Sequence, residues 1–147
     1  MDLHQIWYEL KLISQGDIKK MYKMHHIHLK APDPQETAQW YVDNFDATVK
    51  GEAQGLGGSK TIRIDVGGGL INVTSAPLGE TLPEGTADYH FGLEHFGFET
   101  EDIEASMSLL KAAGVEVLLP ITNSATGAKI SYIKGPDNVR IELVQPA

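Results

Sequence analysis

The 147-residue sequence contains no cysteine. This absence excludes a disulfide-stabilised fold, a thiolate zinc site and a cysteine nucleophile. The sequence also lacks any apolar run of about 18 residues, so no segment is expected to span a membrane. Its first residues lack the basic and apolar regions of a secretory signal peptide. We therefore expect a soluble, cytoplasmic protein.

Positive charge is scarce, since 12 Lys and Arg stand against 20 Asp and Glu and the formal net charge is −8. Nucleic acids and anionic membrane surfaces attract clustered lysine and arginine side chains. We therefore expect neither as a partner, and instead a small-molecule substrate and further copies of the chain. Apolar residues still make up 41% of the sequence, which is enough for a hydrophobic core.

Residues 1–22 form a separate element in the sequence. Apolar side chains recur there at helical spacing until Gly16, which is a plausible end of a helix. These side chains are Leu3, Ile6, Trp7, Leu10 and Ile13. The pattern predicts an N-terminal helical extension that packs on its own domain or on a partner subunit.

From residue 23 onward, the predicted elements occur twice in the same order, β-α-β-β-β. The first module spans about residues 23–76 and the second about 89–147, and a linker of residues 77–88 carries two prolines and two glycines. We predict an α+β domain over residues 23–147. Its two paired modules each form a strongly curved sheet with a helix on the outer face, and together they form a cup.

Matching offsets support the duplication. His26 stands seven residues before Asp33, a predicted helix N-cap, and His95 stands seven residues before Asp102 at the second helix. Asn72 follows His26 by 46 residues, and Glu142 follows His95 by 47. The first and last strands of each module are expected at the centre of the cup. Four side chains should therefore converge there: His26, Asn72, His95 and Glu142.

Two histidines and one carboxylate on rigid strands form a 2-His-1-carboxylate set. Such nitrogen and oxygen ligands suit divalent Fe, Mn, Ni, Co or Zn. The coordination positions that remain open can take two vicinal oxygens of a substrate. The metal ion then acts as a Lewis acid that stabilises enolate-type charge.

Three stretches of the sequence resemble the vicinal oxygen chelate superfamily. They are residues 26–33 (HIHLKAPD), residues 95–98 (HFGF) with Asp102, and residues 135–143 (GPDNVRIEL). This superfamily includes glyoxalase I, methylmalonyl-CoA epimerase, fosfomycin and bleomycin resistance proteins, and extradiol dioxygenases. The resemblance covers about residues 24–146, and it implies metal ligation by His26, His95 and Glu142.

Asn72 departs from the pattern of glyoxalase I and the epimerases, which usually carry Glu or Gln at this position. Asparagine is one methylene shorter, so it is expected to miss the metal or to reach it through water, and its neutral amide is no general base. The resemblance still implies a metal-dependent lyase or isomerase that shifts a proton through a metal-stabilised enediolate. Glu142, released from the metal, or His28 would then be the base.

Two other functions remain open. Tyr132 stands ten residues before Glu142, where the extradiol dioxygenase fingerprint has its tyrosine, so an Fe(II) or Mn(II) dioxygenase with Tyr132 as an acid is the first. The histidine that should precede that tyrosine is absent, and most ring-cleaving dioxygenases are about twice this length. The second is a metal-free binding protein of the bleomycin-resistance kind. Cups of this kind commonly complete themselves across a dimer, so we expect a homodimer.

Other polar residues have more than one interpretation. His28 shares the strand face of His26, and it could be a residue that supports a metal ligand, an acid–base group near the substrate or a lining residue. Strand alternation predicts that His25 faces away from His26. Three cations, Arg63, Lys129 and Arg140, could orient an anionic substrate or lie on a solvated strand face.

Overall fold

The structure is a computed structural model that describes residues 2–6 and 22–147. Residues 3–6 are helical, and the rest of the predicted N-terminal helix lies outside the described residues. Within the described ranges, no helix is both long enough and apolar enough to cross a membrane.

The first module is a four-stranded sheet with one helix. Its elements are β1 (Ile27–Lys30), α1 (Pro34–Phe45), β2 (Thr48–Gln54), β3 (Lys60–Val66) and β4 (Gly69–Thr74). The strand order is β1-β4-β3-β2, and β1 runs parallel to β4 while the other pairs are antiparallel.

The second module repeats this arrangement. Its elements are β5 (Phe96–Glu99), α2 (Ile103–Ala112), β6 (Glu116–Asn123), β7 (Lys129–Lys134) and β8 (Arg140–Gln145). The strand order is β5-β8-β7-β6, again with the first and last strands parallel. The predicted α+β fold of two β-α-β-β-β modules is therefore confirmed.

Local signals in the sequence determine where the helices begin and end. Asp33 accepts hydrogen bonds from the backbone N–H groups of Gln35 and Glu36 at 2.9 and 3.2 Å, so it caps α1 as predicted. Asp102 caps α2 through the N–H of Ala105 at 3.0 Å. After α2, Gly114 adopts a φ of +80°, a conformation that glycine takes without steric cost.

One face of each sheet packs against the module's helix, and alternation places the next residue of each strand on the opposite face. We call this opposite face the open face. The buried apolar residues of the strands are Ile62, Ile64, Ile71, Val73, Ile133, Ile141 and Leu143. Burial of this set fixes the register, and it turns Asn72 and Glu142 to the open face of their sheets.

The modules contact each other through α1 of the first module. The Phe45 ring lies 4.7 Å from the Phe98 ring of β5, centroid to centroid. The Thr37 hydroxyl also donates a hydrogen bond to the Asp137 carboxylate, 3.1 Å away in the turn before β8. The two modules are thus joined on the side of the core.

Both first strands begin later than their sequence patterns suggest. The strand-like run from Phe91 becomes regular only at Phe96, and β1 begins at Ile27. Gly92 has a φ of +95°, which interrupts an extended strand. His26 and His95 therefore lie directly before their strands. The irregular connection also extends beyond the predicted linker of residues 77–88, from residue 75 to residue 95.

Tyr41 of α1 is fully buried, and its hydroxyl has no hydrogen-bond partner within residues 2–6 and 22–147. Burial raises the pKa of this phenol well above its ordinary value, and the negative charge of Asp137 raises it further. The folded state therefore favours the neutral phenol. The stability that depends on this preference is complete below the unfolded-state pKa of about 10, and it is lost as the pH rises through the folded-state pKa.

We expect Tyr41→Phe to leave the free energy of unfolding unchanged at pH 7, or to raise it by up to about 1 kcal/mol, because it removes a buried hydroxyl that has no partner among the described residues. The variant should also unfold at a higher pH than the wild type. Urea unfolding at pH 7 and an alkaline titration measure both effects. Tyr22→Phe, at an exposed tyrosine, is the control. A free energy of unfolding that is lower in Tyr41→Phe than in the wild type by more than about 1 kcal/mol at pH 7 would contradict the expectation.

Candidate functional site

His95 and Glu142 come together on the open face of the second module. His95 directly precedes β5, and the register pairs Gly97 of β5 with Glu142 of β8. His95 Nε2 lies 3.4 Å from Glu142 Oε2, and the side chains are 29% and 18% exposed. A Cβ atom on Gly97 would lie 3.4 Å from Glu142 Oε2, so the carboxylate packs directly over Gly97.

Tyr132 completes this second-module cluster, which we define as His95, Tyr132 and Glu142. The register pairs Tyr132 of β7 with Glu142, and its ring lies edge-on to the His95 ring with centroids 5.0 Å apart. Burial raises the pKa of the Tyr132 hydroxyl, and the negative charge of Glu142 raises it further. Tyr132 is therefore a neutral proton donor at physiological pH.

The first module presents a second group of polar residues on its own open face. We define the first-module cluster as His26, His28, Asn72 and Thr74. His28 pairs with Asn72 in the β1–β4 register, and its Nε2 lies 2.7 Å from the Thr74 hydroxyl. Burial lowers the pKa of His28, and the charges of Lys30 and His26 lower it further. His28 is therefore a neutral imidazole at pH 7 and can accept a proton.

The predicted orientation of His25 is wrong. Its Nδ1 lies 2.8 Å from the Nδ1 of His26, and the two rings are perpendicular with centroids 5.0 Å apart. The alternation of a strand applies only from Ile27 onward, so the two neighbouring imidazoles are free to meet. Both histidines are exposed.

The two clusters do not form one metal site within a single chain. In the part of the chain that the structure describes, no group of three or more His, Asp or Glu residues is placed to hold a metal ion. The expectation that His26, Asn72, His95 and Glu142 converge is therefore not met within one copy. The physical reason is the packing of the modules, which meet through Phe45 and Phe98 on the core side of their sheets.

The second-module cluster fits part of a divalent metal site. His95 Nδ1 lies 2.5 Å from the Glu94 carboxylate, so Nδ1 donates to that carboxylate, and in the neutral imidazole the lone pair of Nε2 is directed at Glu142. Two facing acceptors are stabilised only by a cation between them, either a proton or a metal ion. Ligand atoms about 2.1 Å from a metal lie roughly 3.0–3.4 Å apart, which matches the observed 3.4 Å.

The interpretation of Arg140 as part of a solvated strand face is wrong. It is only 8% exposed, and its Nε lies 3.1 Å from Glu94 Oε1. Lys129 lies 3.7 Å from the Glu104 carboxylate, and Arg63 is exposed. The interaction of Glu94 with His95 and Arg140 has no signal in the sequence spacing, because it depends on where β8 pairs with β5.

Comparison with known proteins identifies the family. The Glyoxalase/Bleomycin resistance protein/Dioxygenase superfamily matches residues 23–143. The chain belongs to this superfamily. The match confirms the resemblance that the sequence motifs indicate, and it covers both modules. A search of curated proteins found no match.

Solved structures support the fold of this superfamily member. SMU.1112c is 25% identical with a TM-score of 0.71, over 85% of this chain and 99% of that chain. A glyoxalase family protein from Enterococcus faecalis is 22% identical with a TM-score of 0.71, over 86% and 99%. The fosfomycin resistance protein FosX from Listeria monocytogenes is 20% identical with a TM-score of 0.67, over 86% and 95%.

Proposed function

We propose that this superfamily member is a divalent-metal-dependent lyase or isomerase of the glyoxalase kind, acting on a small molecule with vicinal oxygens. The observation that carries the proposal is the His95–Glu142 pair. Its nitrogen and oxygen lone pairs face each other across 3.4 Å on an accessible sheet face. A partly exposed pair of this kind is suited to bind a metal ion that also contacts substrate.

We propose further that two copies of the chain complete the site as a homodimer. His26, His95 and Glu142 are the proposed ligands, and His26 would come from a second copy. Two observations support this arrangement. His26 is exposed at the end of the first-module cluster, and the modules of one chain meet through Phe45 and Phe98, on the core side of their sheets. When bound, the metal ion would supply a Lewis acid that polarises the substrate's two oxygens.

The protein's own side chains then have distinct roles. His28 is the proposed proton acceptor, because its pKa is lowered and the ring is neutral. In the tautomer whose Nε2–H donates to the Thr74 hydroxyl, 2.7 Å away, Nδ1 carries the lone pair that takes the proton. Asn72 lies beside His28 and is a neutral amide, which can orient a substrate oxygen or a water molecule but cannot replace the base.

A dioxygenase is the second candidate, and Tyr132 is the observation that favours it. Its ring contacts His95, and its raised pKa keeps the hydroxyl protonated, as an acid beside a metal-bound substrate requires. In a lyase or isomerase, the same hydroxyl would donate a hydrogen bond to a substrate oxygen. Oxygen consumption separates the two reactions.

Metal analysis tests the enzyme proposals. After reconstitution and removal of excess ion, we expect stoichiometric Fe, Mn, Ni, Co or Zn in the wild type and in His4→Ala, an exposed control. His95→Ala should retain less than about a tenth of the metal that the wild type binds, because one ligand is lost. If the wild type carries no metal, the enzyme proposals fail and a metal-free binding protein is the better interpretation.

The metal-loaded protein is then assayed with two substrate classes. Product formation from adducts of methylglyoxal with thiols would support the lyase proposal. Oxygen uptake with catechols would contradict it in favour of the dioxygenase.

A further inference from the structure

Glu94 contacts the nitrogen of His95 that faces away from Glu142. Glu94 Oε2 lies 2.5 Å from His95 Nδ1, while His95 Nε2 lies 3.4 Å from Glu142 Oε2. A carboxylate can only accept a hydrogen bond, so this contact places the proton of a neutral imidazole on Nδ1. The lone pair then resides on Nε2, the atom directed at the candidate metal position.

Arg140 holds the Glu94 carboxylate in place. Its guanidinium lies between two rings, 4.7 Å from the centroid of Tyr89 and 4.4 Å from that of Tyr132. Nη1 donates a hydrogen bond to the carbonyl of Ala87 at 3.1 Å, which ties the linker to the same group. A cation in this position has little freedom to move.

The charges of Arg140 and Glu94 depend on each other. Glu94 Oε1 and Arg140 Nε are both buried, and they lie 3.1 Å apart without a well-directed hydrogen bond to any other described residue. Removing either partner would leave a charge in a poorly solvated position. Because both ends are constrained, the carboxylate has one preferred position, and that position fixes the ring of His95.

The first module provides an internal comparison. The residue before the site histidine again contacts its Nδ1, but there it is His25 beside His26, at 2.8 Å. A neutral imidazole can donate or accept, so this contact does not select a tautomer. In the second module, by contrast, the neighbour is the Glu94 carboxylate, which can only accept a hydrogen bond and therefore permits one tautomer of the neutral His95 ring. A residue that positions the histidine is expected to act in this way.

We propose that Glu94, held by Arg140, is a positioning residue that keeps His95 in the Nδ1–H tautomer with Nε2 directed at Glu142. The proposal deepens the proposed function, because it rests on His95 acting as a metal ligand through Nε2. The orientation itself is a property of the metal-free protein. It can therefore be tested without metal or substrate.

The first measurement is the tautomer of His95 by long-range ¹H–¹⁵N correlation in the metal-free protein, at a pH where the ring is neutral. We expect the Nδ1–H tautomer alone in the wild type and in Glu80→Gln, an exposed control with the same chemical change. Glu94→Gln should show both tautomers, since an amide can donate or accept. The double variant Glu94→Gln/Arg140→Met should also show both tautomers. Because it removes both charges, it tests the proposal even if Glu94→Gln folds poorly with Arg140 left unpaired.

The second measurement is Zn²⁺ affinity by calorimetry. Glu94→Gln and the double variant should bind about 10- to 100-fold more weakly than the wild type and Glu80→Gln. An unchanged tautomer in both variants would overturn the positioning role, even if the wild type binds zinc. A changed tautomer in a protein that binds no metal would uphold the positioning role and refute the proposed metal site.

Discussion

Glu142→Gln is expected to reduce the activity of the metal-loaded protein by about a thousandfold or more. Glutamine keeps the size of the side chain but removes the negative charge that would bind the cation. Loss of the metal removes a Lewis-acid contribution of several kcal/mol, and about 4 kcal/mol corresponds to a factor of a thousand. Metal content and kcat/KM should fall together.

The same variant should fold as well as the wild type or better. At a pH where His95 is neutral, the metal-free protein holds two acceptors, His95 Nε2 and Glu142 Oε2, 3.4 Å apart. A glutamine amide could donate a hydrogen bond to Nε2 and relieve that repulsion. Thermal unfolding of the metal-free variant should therefore give an equal or higher Tm. This result would separate a loss of function from a loss of structure.

Glu99→Gln is the matched control for this experiment. Glu99 is exposed and lies on β5, two residues beyond Gly97, so both strand positions face the same side of the same sheet. We expect it to retain the metal and most of the activity. If Glu142→Gln keeps full metal occupancy and activity, Glu142 is not a ligand.

The parts of the fold with local causes could be predicted from the sequence. The bounds of α1 follow from Asp33 and Pro34 at its start and from the apolar face that ends at Phe45. Strand alternation identifies the open-face residues of β4 and β8, because a shift of one residue would bury Asn72 or Glu142 in the core.

The parts with non-local causes could not be predicted. The contact of Arg140 with Glu94 requires β8 to pair with β5 in one register and the linker to fold over both, and no spacing in the sequence encodes that combination. The contact between His25 and His26 was missed because β1 begins only at Ile27, so neither histidine follows the alternation of a strand. Apolar residues such as Phe45 and Phe98 predict burial without specifying a partner. The packing of the two modules against each other could therefore not be predicted from the sequence.

The proposed dimeric site makes a second prediction with a large effect. His26→Ala and Glu142→Gln should each be inactive as homodimers, because every site would lack one ligand. In a mixed dimer, one site combines the intact His26 of one copy with the intact His95 and Glu142 of the other. The second site carries both changes. Random exchange of equal amounts gives half mixed dimers, so about a quarter of the wild-type sites should be restored.

The measurement is activity and bound metal after the two inactive variants are unfolded together and refolded. Each variant refolded alone is the first control, and a mixture kept folded without exchange is the second. Recovery should approach about a quarter of wild-type activity only after exchange. A site contained within one chain would give no recovery, because neither chain then holds a complete ligand set. Recovery therefore distinguishes a site shared between two copies from a site that a rearrangement of the modules assembles within one copy.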